Sequence, residues 1–432
     1  MAENIFSISV KELASLGFEK MPRNFIPSCG LVYSSPATLS YNSPGALGFG
    51  VKRAALVIPE SVMLLVAPDC CGRNSTILSA NEGYSKRMFY LRMDETDLVT
   101  GRHLKMIPEA VKEICSVAKP KPKVVTICIT CVDALLGTDL ERVCRKAEDE
   151  TGVIVVPSYM YALTREGRKP PMTAIRQTVY SLLKDKPKQN DMVNLTGFFS
   201  EVDSSSELFS LLKSAGVKKI NQIGKCKTLD EYMEMAAANF NLMLYPESRY
   251  ANDYMMRHLG IPYIELTRLY DIEKIRKQYV YFASAIGTQF VLKEFRDEAV
   301  MALENFRFIK KDCSFAIGQM INAFPFELAL SLCGYGFKVP YVFASPAEDD
   351  FVYIKHLAEL SPDTKVFAPT DSSMVNFKSV SSGADIAVGK DIAPYFPNAA
   401  LVGWNCEAQP FGFKGVVDFF NDCKSSLTGG EK

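Results

Sequence analysis

Cysteine residues follow two apolar runs of the sequence, at the points where each run ends. Residues 62–66 are followed after a short turn by Cys70 and Cys71, and Val124–Ile129 is followed by Cys131. Both runs are short and uncharged, which is typical of strands buried on two faces. Because the carboxyl ends of parallel strands meet at one edge of a sheet, we expect these thiols to lie close together. Thiolates on a rigid scaffold are the ligands of iron–sulfur clusters and other soft metal centres.

A third cysteine, Cys29, lies in an irregular segment containing proline and glycine, residues 22–50, which can fold over the same sheet edge. A single cysteine is more often a buried apolar residue than a ligand. Three cysteines at strand ends favour a metal site, although their spacing is not a zinc or ferredoxin signature. The remaining cysteines, apart from Cys70 and Cys128, have no motif around them and are expected to pack in the core: Cys115, Cys144, Cys226, Cys313, Cys333, Cys406 and Cys423.

Cys128 and Cys131 also form a Cys-x-x-Cys pair, the motif of thiol–disulfide exchange proteins. In that class the first cysteine lies at a helix N-terminus, where the helix dipole lowers the pKa of the thiol. Here Cys128 falls inside a predicted strand, and the next predicted helix begins only near Thr138. A redox-active dithiol is therefore the weaker hypothesis.

Nucleotide-binding motifs are absent from the sequence. It contains no Gly-x-x-x-x-Gly-Lys-Ser/Thr loop, and no Gly-x-Gly-x-x-Gly follows its first strand. We therefore expect no nucleotide to be bound by this chain. The histidines His103, His258 and His356 have no paired spacing, and surface or satisfied-core positions are expected for them rather than metal ligation.

Charge and hydropathy exclude two classes of partner. The 432 residues include 49 Lys and Arg against 49 Asp and Glu, so no net field attracts nucleic acid or anionic lipid. The longest apolar stretch, residues 54–67, is interrupted by Pro59 and Glu60, so we expect no membrane span. The first residues lack both a basic segment and a long apolar run, which predicts a cytoplasmic protein. Its twelve cysteines are then expected to be reduced or to bind metal.

Strand-like and helix-like segments alternate along the chain in three successive series. The first series includes strands over residues 54–58 and 153–157 and a helix over residues 138–150 that opens with a capping box at Thr138. The charged residues 184–191 indicate a linker, a second series ends in a long helical stretch over residues 271–306, and a third begins at Cys313. The pattern predicts an α/β protein of three doubly wound, mostly parallel-sheet, Rossmann-like domains, of which the first carries the cysteines. The predicted domains are residues 1–190, 191–308 and 309–432.

Taken together, the cysteine loops and several later motifs resemble the component 1 superfamily of nitrogenases, which also contains nitrogenase-like reductases and cluster scaffolds. Ala-Pro-Asp-Cys-Cys at residues 67–71 is similar to the family's Gly-Pro-x-Gly-Cys-like turn, and residues 131–140 match its Cys-x-x-x-Leu-Ile-Gly-Asp-Asp-Ile. The other matching segments follow in order along most of the chain: residues 95–104, 193–197, 259–263 and 412–415. The resemblance implies a nitrogenase component 1-like fold.

The resemblance also implies a metal site. It makes Cys29, Cys71 and Cys131 the ligands of an iron–sulfur cluster at a subunit interface, either a 4Fe–4S cluster or a P-cluster-like 8Fe–7S cluster. Cys71 rather than Cys70 takes the family's position, because the family's ligand stands three residues after the proline, here Pro68. Cys70 is either a further ligand or a bystander.

Two departures from the family concern its molybdenum–iron cofactor. Counting from the matched motifs, the family's cofactor-binding Cys falls near Leu244, within residues 241–245, and its cofactor-binding His falls at Phe411. Neither side chain ligates a metal. The chain is therefore not expected to hold that cofactor in the family's usual way.

The leading functional hypothesis is the electron-accepting catalytic component of a two-component, ATP-dependent, nitrogenase-like reductase. A separate ATPase iron–sulfur protein would deliver the electrons, and the chain would form a homodimer or a heterodimer with a paralogous subunit. The first alternative is a scaffold on which a metallocluster is assembled and handed on. The second alternative is a cluster-free α/β protein whose cysteines all pack in the core. The residues that carry out catalysis are not identified by the sequence.

Overall fold

The computed structural model describes residues 5–25, 55–69, 83–129, 137–159, 171–377 and 383–429. The strands of these residues form three sheets, and the chain divides into two compact units. One unit comprises the described parts of residues 1–47, 201–216 and 266–432 and contains a six-stranded sheet. The other comprises the described parts of residues 48–200 and 217–265 and contains two four-stranded sheets. The predicted α/β class with mostly parallel sheets is confirmed.

The regular elements are numbered here in chain order. The described strands are β1 (Ser7–Ser9), β2 (Ser61–Ala67), β3 (Met88–Arg92), β4 (Val124–Ile129), β5 (Ile154–Tyr159), β6 (Gln189–Thr196), β7 (Lys219–Gln222), β8 (Ala238–Met243), β9 (Tyr263–Glu265), β10 (Ser314–Ile317), β11 (Lys338–Phe343), β12 (Lys365–Phe367), β13 (Ile386–Val388) and β14 (Ala400–Val402). The described α-helices are α1 (Val10–Leu16), α2 (Glu95–Val99), α3 (His103–Val117), α4 (Leu140–Thr151), α5 (Pro171–Ser181), α6 (Glu207–Ser214), α7 (Leu229–Met233), α8 (Arg249–Leu259), α9 (Ile272–Ala285), α10 (Lys293–Ile309), α11 (Pro325–Gly334), α12 (Phe351–Leu360) and α13 (Gly412–Thr428).

The first four-stranded sheet is parallel throughout and has the strand order β3-β2-β4-β5. Alternate residues of its central strands enter two separate hydrophobic clusters, so the sheet is buried on both faces. Residues of α3 and α4 complete one cluster, and residues of α5 and α8 complete the other. This arrangement confirms the predicted doubly wound βαβ unit. The edge strand β3 is not predicted by the sequence, because its half-buried residues lack an alternating pattern.

Two local predictions in this region are wrong. Residues 56–60 form turns rather than a strand. The segment is apolar because Leu56 and Ile58 of these turns are buried in the core. The cap of α4 is Asp139 rather than Thr138, because the Asp139 carboxylate accepts a hydrogen bond of 2.9 Å from the backbone N–H of Arg142.

The second four-stranded sheet is also parallel and has the order β7-β6-β8-β9. Buried asparagines on three neighbouring strands fix its register. Asn194 of β6 donates to Asn241 of β8 at 2.8 Å and accepts from Asn221 of β7 at 2.9 Å. Asn241 in turn donates to Asn252 of α8. A slip of one residue would leave these buried amides unpaired, so the network specifies one alignment of the strands. The predicted linker is shorter than expected, because β6 already begins at Gln189.

The six-stranded sheet has the order β1-β12-β11-β10-β13-β14, and only β1 runs antiparallel to its neighbour. The helical stretch predicted over residues 271–306 is two helices, α9 and α10, with Gly287 at a φ of 72° between them. Glycine adopts this left-handed conformation without the steric cost that a side chain would add, which explains the break. Because β1 belongs to this sheet, the first residues of the chain pair with its last third. The division into three domains at the predicted boundaries stays a prediction.

No helix in the described part of the chain is long and apolar enough to cross a membrane.

Replacing Val125 by Ala should lower the free energy of unfolding by about 2 kcal/mol, because Val125 is fully buried in β4 and the change leaves a cavity. The same substitution at Val117, which is 57% exposed at the end of α3, should change it by less than about 0.5 kcal/mol. Denaturant unfolding followed by circular dichroism measures both values. Equal losses for the two variants would contradict the assignment of β4 as a central strand.

Candidate functional site

Two of the predicted cluster ligands, Cys71 and Cys131, follow β2 and β4 in the sequence, and both strands end at the carboxyl edge of the first sheet. β2 and β4 are parallel neighbours, and Val66 pairs with Ile129 at their carboxyl ends. The strand order reverses between these two strands, and α/β sheets bind ligands outside the carboxyl ends of strands at such a reversal. Between Ala67 and Cys70 stand two residues, and only one stands between Ile129 and Cys131. The chain thus approaches Cys70 and Cys131 from adjacent positions on one sheet edge.

The four cysteines themselves, Cys29, Cys70, Cys71 and Cys131, lie outside the described residues. Their assignment as cluster ligands therefore stays a prediction.

The end of β2 is held by residues of β3 and of the turn after it. The backbone carbonyl of Ala67 accepts hydrogen bonds from the Tyr90 hydroxyl at 2.9 Å and from the Met93 N–H at 3.1 Å. Arg92 and Asp69 form an ion pair of 2.7 Å, but both side chains are more than half exposed, so solvent screens it and it adds little stability. The direction in which the chain leaves β2 is therefore fixed mainly by the two bonds to Ala67.

Elsewhere in the described ranges, no group of three or more His, Cys, Asp or Glu residues is arranged to hold a metal ion. The described cysteines are free thiols, and Cys128, Cys144, Cys313 and Cys423 are buried. Burial raises the pKa of Cys313 to about 12, because the charged thiolate would lose its hydration there. Cys128 lies inside β4 and not at a helix N-terminus, so it lacks the position that a redox-active Cys-x-x-Cys pair requires.

A family model described as nitrogenase component 1 type oxidoreductase matches residues 48–399. The chain belongs to this family. The resemblance that the cysteine loops and later motifs indicated is confirmed, and the match extends over most of the chain.

Individual relatives of this component 1 type chain are more distant. The nitrogenase iron-molybdenum cofactor biosynthesis protein NifE of Clostridium pasteurianum is 28% identical over 231 residues, which cover 50% of this chain and 49% of the relative. The protein of the same description from Methanococcus maripaludis is 22% identical over 291 residues, with coverages of 65% and 59%. The nitrogenase molybdenum-iron protein alpha chain of Methanosarcina barkeri is 24% identical over 222 residues, with coverages of 48% and 41%. The chain spans about half the length of these relatives.

Among solved structures, nitrogenase Cp1 at pH 6.5 matches with a TM-score of 0.70 and 16% sequence identity, covering 90% of this chain and 93% of that one. Nitrogenase Cp1 at pH 5 matches with a TM-score of 0.63 and 15% identity, covering 92% and 90%. At these identities the likeness establishes the component 1 fold alone.

The two positions that counting from the matched motifs assigns to the family's cofactor ligands are core positions in this component 1 type chain. Leu244 is 1% exposed, and its backbone N–H donates to the Thr196 carbonyl at 2.8 Å. Phe411 is also 1% exposed, and its carbonyl accepts from the Ser206 hydroxyl at 3.2 Å. Neither residue offers a donor atom to a metal, so these positions do not fit the molybdenum–iron cofactor.

The matched glycine motif at residues 412–415 has a structural role that the sequence does not reveal. Glu207 of α6 accepts hydrogen bonds from the backbone N–H groups of Phe413 and Lys414, at 2.6 and 3.1 Å, and from the Tyr279 hydroxyl at 2.8 Å. It therefore caps the N-terminus of α13 with a buried carboxylate, and burial raises the pKa of Glu207. A Cβ on Gly412 would lie 1.9 Å from Glu207 Oε1. Only glycine leaves room for this cap.

A buried charge that sequence analysis missed lies at the carboxyl edge of the second sheet. Arg176 of α5 is 7% exposed and donates to the Gly197 carbonyl. The helical spacing of the sequence could have indicated this burial, because Arg176 lies on the same face of the helix as the buried Thr173, Val179 and Tyr180. A charged residue on an otherwise buried helix face is the signal that identifies it.

Replacing Gly412 by Ala should destabilise the protein by about 1–3 kcal/mol more than the same change at Gly429, because only at Gly412 does the added methyl group meet Glu207. Gly429 ends the same helix with nearly the same φ, 68° against 70°, and has open space around it. The difference in unfolding midpoint between the two variants isolates the contact from the backbone strain. Equal midpoints would show that Glu207 does not occupy this position.

Proposed function

We propose that this component 1 type chain is a scaffold that carries an iron–sulfur cluster through Cys29, Cys71 and Cys131 and supports metallocluster assembly. The observation that carries the proposal is the burial of Leu244 and Phe411 at the positions where the family binds its catalytic cofactor. A scaffold must release what it builds, and it has no need of the ligands that hold a resident cofactor permanently. Relatives described as cofactor biosynthesis proteins support the same conclusion.

Cysteine thiolates are the chemically appropriate donors for such a cluster, which when bound would supply one-electron transfer. The chain's own contribution is to present the donors from the ends of β2 and β4, whose paired residues are buried on both faces. Rigid strands reduce the conformational entropy that the ligands lose on binding metal. Because the resemblance places the cluster at a subunit interface, the proposal includes a dimer, either of two copies or with a paralogous subunit.

The leading hypothesis from the sequence, a catalytic component of a two-component ATP-dependent reductase, is kept as the second candidate. The relative described as a nitrogenase molybdenum-iron protein alpha chain and the family's description as oxidoreductases favour it. In this case a separate ATPase iron–sulfur protein would deliver electrons, because the sequence contains no phosphate-binding loop.

Replacing Cys71 or Cys131 by Ser should remove most of the bound iron from the anaerobically purified protein and leave its circular dichroism unchanged, because each variant loses a thiolate ligand. Cys115→Ser is the matched control, since Cys115 is a partly buried thiol of α3 that is not assigned as a ligand. Iron and acid-labile sulfide analysis with EPR of the reduced protein measures the cluster. Full iron retention in both ligand variants would refute the ligand assignment. An iron-free wild-type protein from cells with cluster-assembly machinery would favour the cluster-free alternative.

The two candidate functions are separated by the fate of the cluster. Incubated with a nitrogenase component 1 protein that lacks its cofactor, a scaffold loses metal to the acceptor without turning over. Incubated with an ATPase iron–sulfur protein, ATP and reductant, a reductase hydrolyses ATP, consumes electrons continuously and keeps its iron. Continuous electron consumption without transfer of metal would therefore favour the reductase over the scaffold.

A further inference from the structure

The guanidinium group of Arg176 lies beneath the surface between two aromatic rings. Its central carbon is 4.3 Å from the centroid of the Phe199 ring and 5.2 Å from that of the Tyr245 ring, distances at which a cation is attracted to the ring face. Within the described residues its carboxylate contact is with Glu247, at 3.3 Å, and the Glu247 side chain is 44% exposed. The buried cation is thus paired with a weakly held, solvent-accessible anion.

Two buried polar atoms in this region have no hydrogen-bond partner within the described part of the chain. They are Nε of Arg176 and Oγ of Ser248, and Ser248 itself is fully buried. The surrounding polar groups are paired: the Thr196 hydroxyl donates to Asn252, and the Asn252 amide donates to the Ser248 carbonyl. An unpaired buried donor costs about 1–3 kcal/mol, so two such donors in an otherwise paired region call for a ligand.

Both donors come from elements that contact each other. α5, which carries Arg176, packs against α8 and against the turn Pro246–Ser248. Ser248 directly precedes the first residue of α8, and its side chain makes no capping bond to that helix. The N-terminus of α8 adds the positive end of a helix dipole. The electrostatics of the region therefore favour negative charge.

The position of this region in the fold is that of a ligand site. The strand order of the second sheet reverses between β6 and β8, and the loops after these two strands contain Gly197, Phe199, Tyr245 and Glu247. The two loops approach closely, because a Cβ on Gly197 would lie 2.6 Å from the Tyr245 backbone nitrogen. Crevices at such reversals bind ligands in α/β proteins.

We propose that this region binds a small oxyanion, a carboxylate or a phosphate group, through Arg176 Nε and the Ser248 hydroxyl. In the absence of the ligand, the Glu247 carboxylate is paired with the Arg176 guanidinium. The ligand displaces Glu247, because this contact is long and the Glu247 side chain is exposed. Arg176 supplies only donors, which excludes a cationic ligand, and its planar fork suits two oxygen atoms of one oxyanion. The proposal does not depend on the iron–sulfur cluster.

A purely structural role is the competing explanation for Arg176, because the side chain also ties the Gly197 carbonyl to Glu247. Under that explanation Glu247→Gln removes an ion pair and lowers stability without creating affinity for anions. Under the proposal the same variant removes a competing anion and raises affinity. The two explanations thus predict opposite results for one substitution.

The test measures binding of sodium phosphate and sodium succinate by calorimetry, at constant ionic strength maintained with chloride. Glu247→Gln should bind about tenfold more tightly than the wild type, and Arg176→Lys and Ser248→Ala about tenfold more weakly, as loss of one charge-assisted hydrogen bond requires. Arg249→Gln is the control, because Arg249 begins the same helix but is paired with Glu265 at 2.9 Å, and it should bind like the wild type.

Binding of one probe alone identifies the oxyanion as phosphate or carboxylate and supports the proposal. Absence of binding of both probes by the wild type and by Glu247→Gln would overturn it, as would equal affinities in wild type and Ser248→Ala. Ser248→Ala keeps the test decisive if Arg176→Lys does not fold, since it only removes an unpaired hydroxyl. Iron content should be the same in all variants, which separates this result from the test of the cluster ligands.

Discussion

Burial of the central parallel strands on both faces is the constraint that determines where this protein can have a site. β2 and β4 place alternate side chains in two different hydrophobic clusters, so neither face of the sheet is open to a ligand. What remains accessible is the edge where the strands end, and side chains placed there are held by a rigid sheet. Arg176 contacts the loop at such an edge, at the reversal between β6 and β8, and the strands β2 and β4, which precede Cys71 and Cys131 in the sequence, end at another.

Two buried carboxylates, Glu207 and Glu327, have structural partners supplied by distant parts of the chain. Glu207 accepts N–H groups of α13 and the Tyr279 hydroxyl, and Glu327 of α11 accepts the N–H of Tyr270. Burial raises the pKa of Glu327 to about 7, because a charged carboxylate loses its hydration there. Arg176 differs from both, since its Nε has no partner in the described chain and its carboxylate contact is long and exposed. That difference separates a structural charge from a candidate binding group.

The structure explains why two positions of the family motifs are glycine. Gly412 is required because the Glu207 carboxylate occupies the space of a Cβ, and Gly197 because the loop after β8 approaches its backbone. Both glycines therefore have packing reasons within the component 1 fold. Leu244 and Phe411, which motif counting matches to the family's cofactor ligands, are part of the hydrophobic core.

The sequence by itself determined the α/β class, the βαβ order and the family, because long apolar strands and capped helices are local patterns. It also identified the cysteines as the candidate ligands, from their residue type and their place after β2 and β4. It did not reveal the short strands β3, β12 and β14 or the break at Gly287, which have little periodicity of their own. Only the tertiary structure brings Glu207 to the N-terminus of α13 and the Phe199 and Tyr245 rings to Arg176. Their partners are far apart in the chain, and burial, which gives these charges their energetic weight, exists only after the chain has folded.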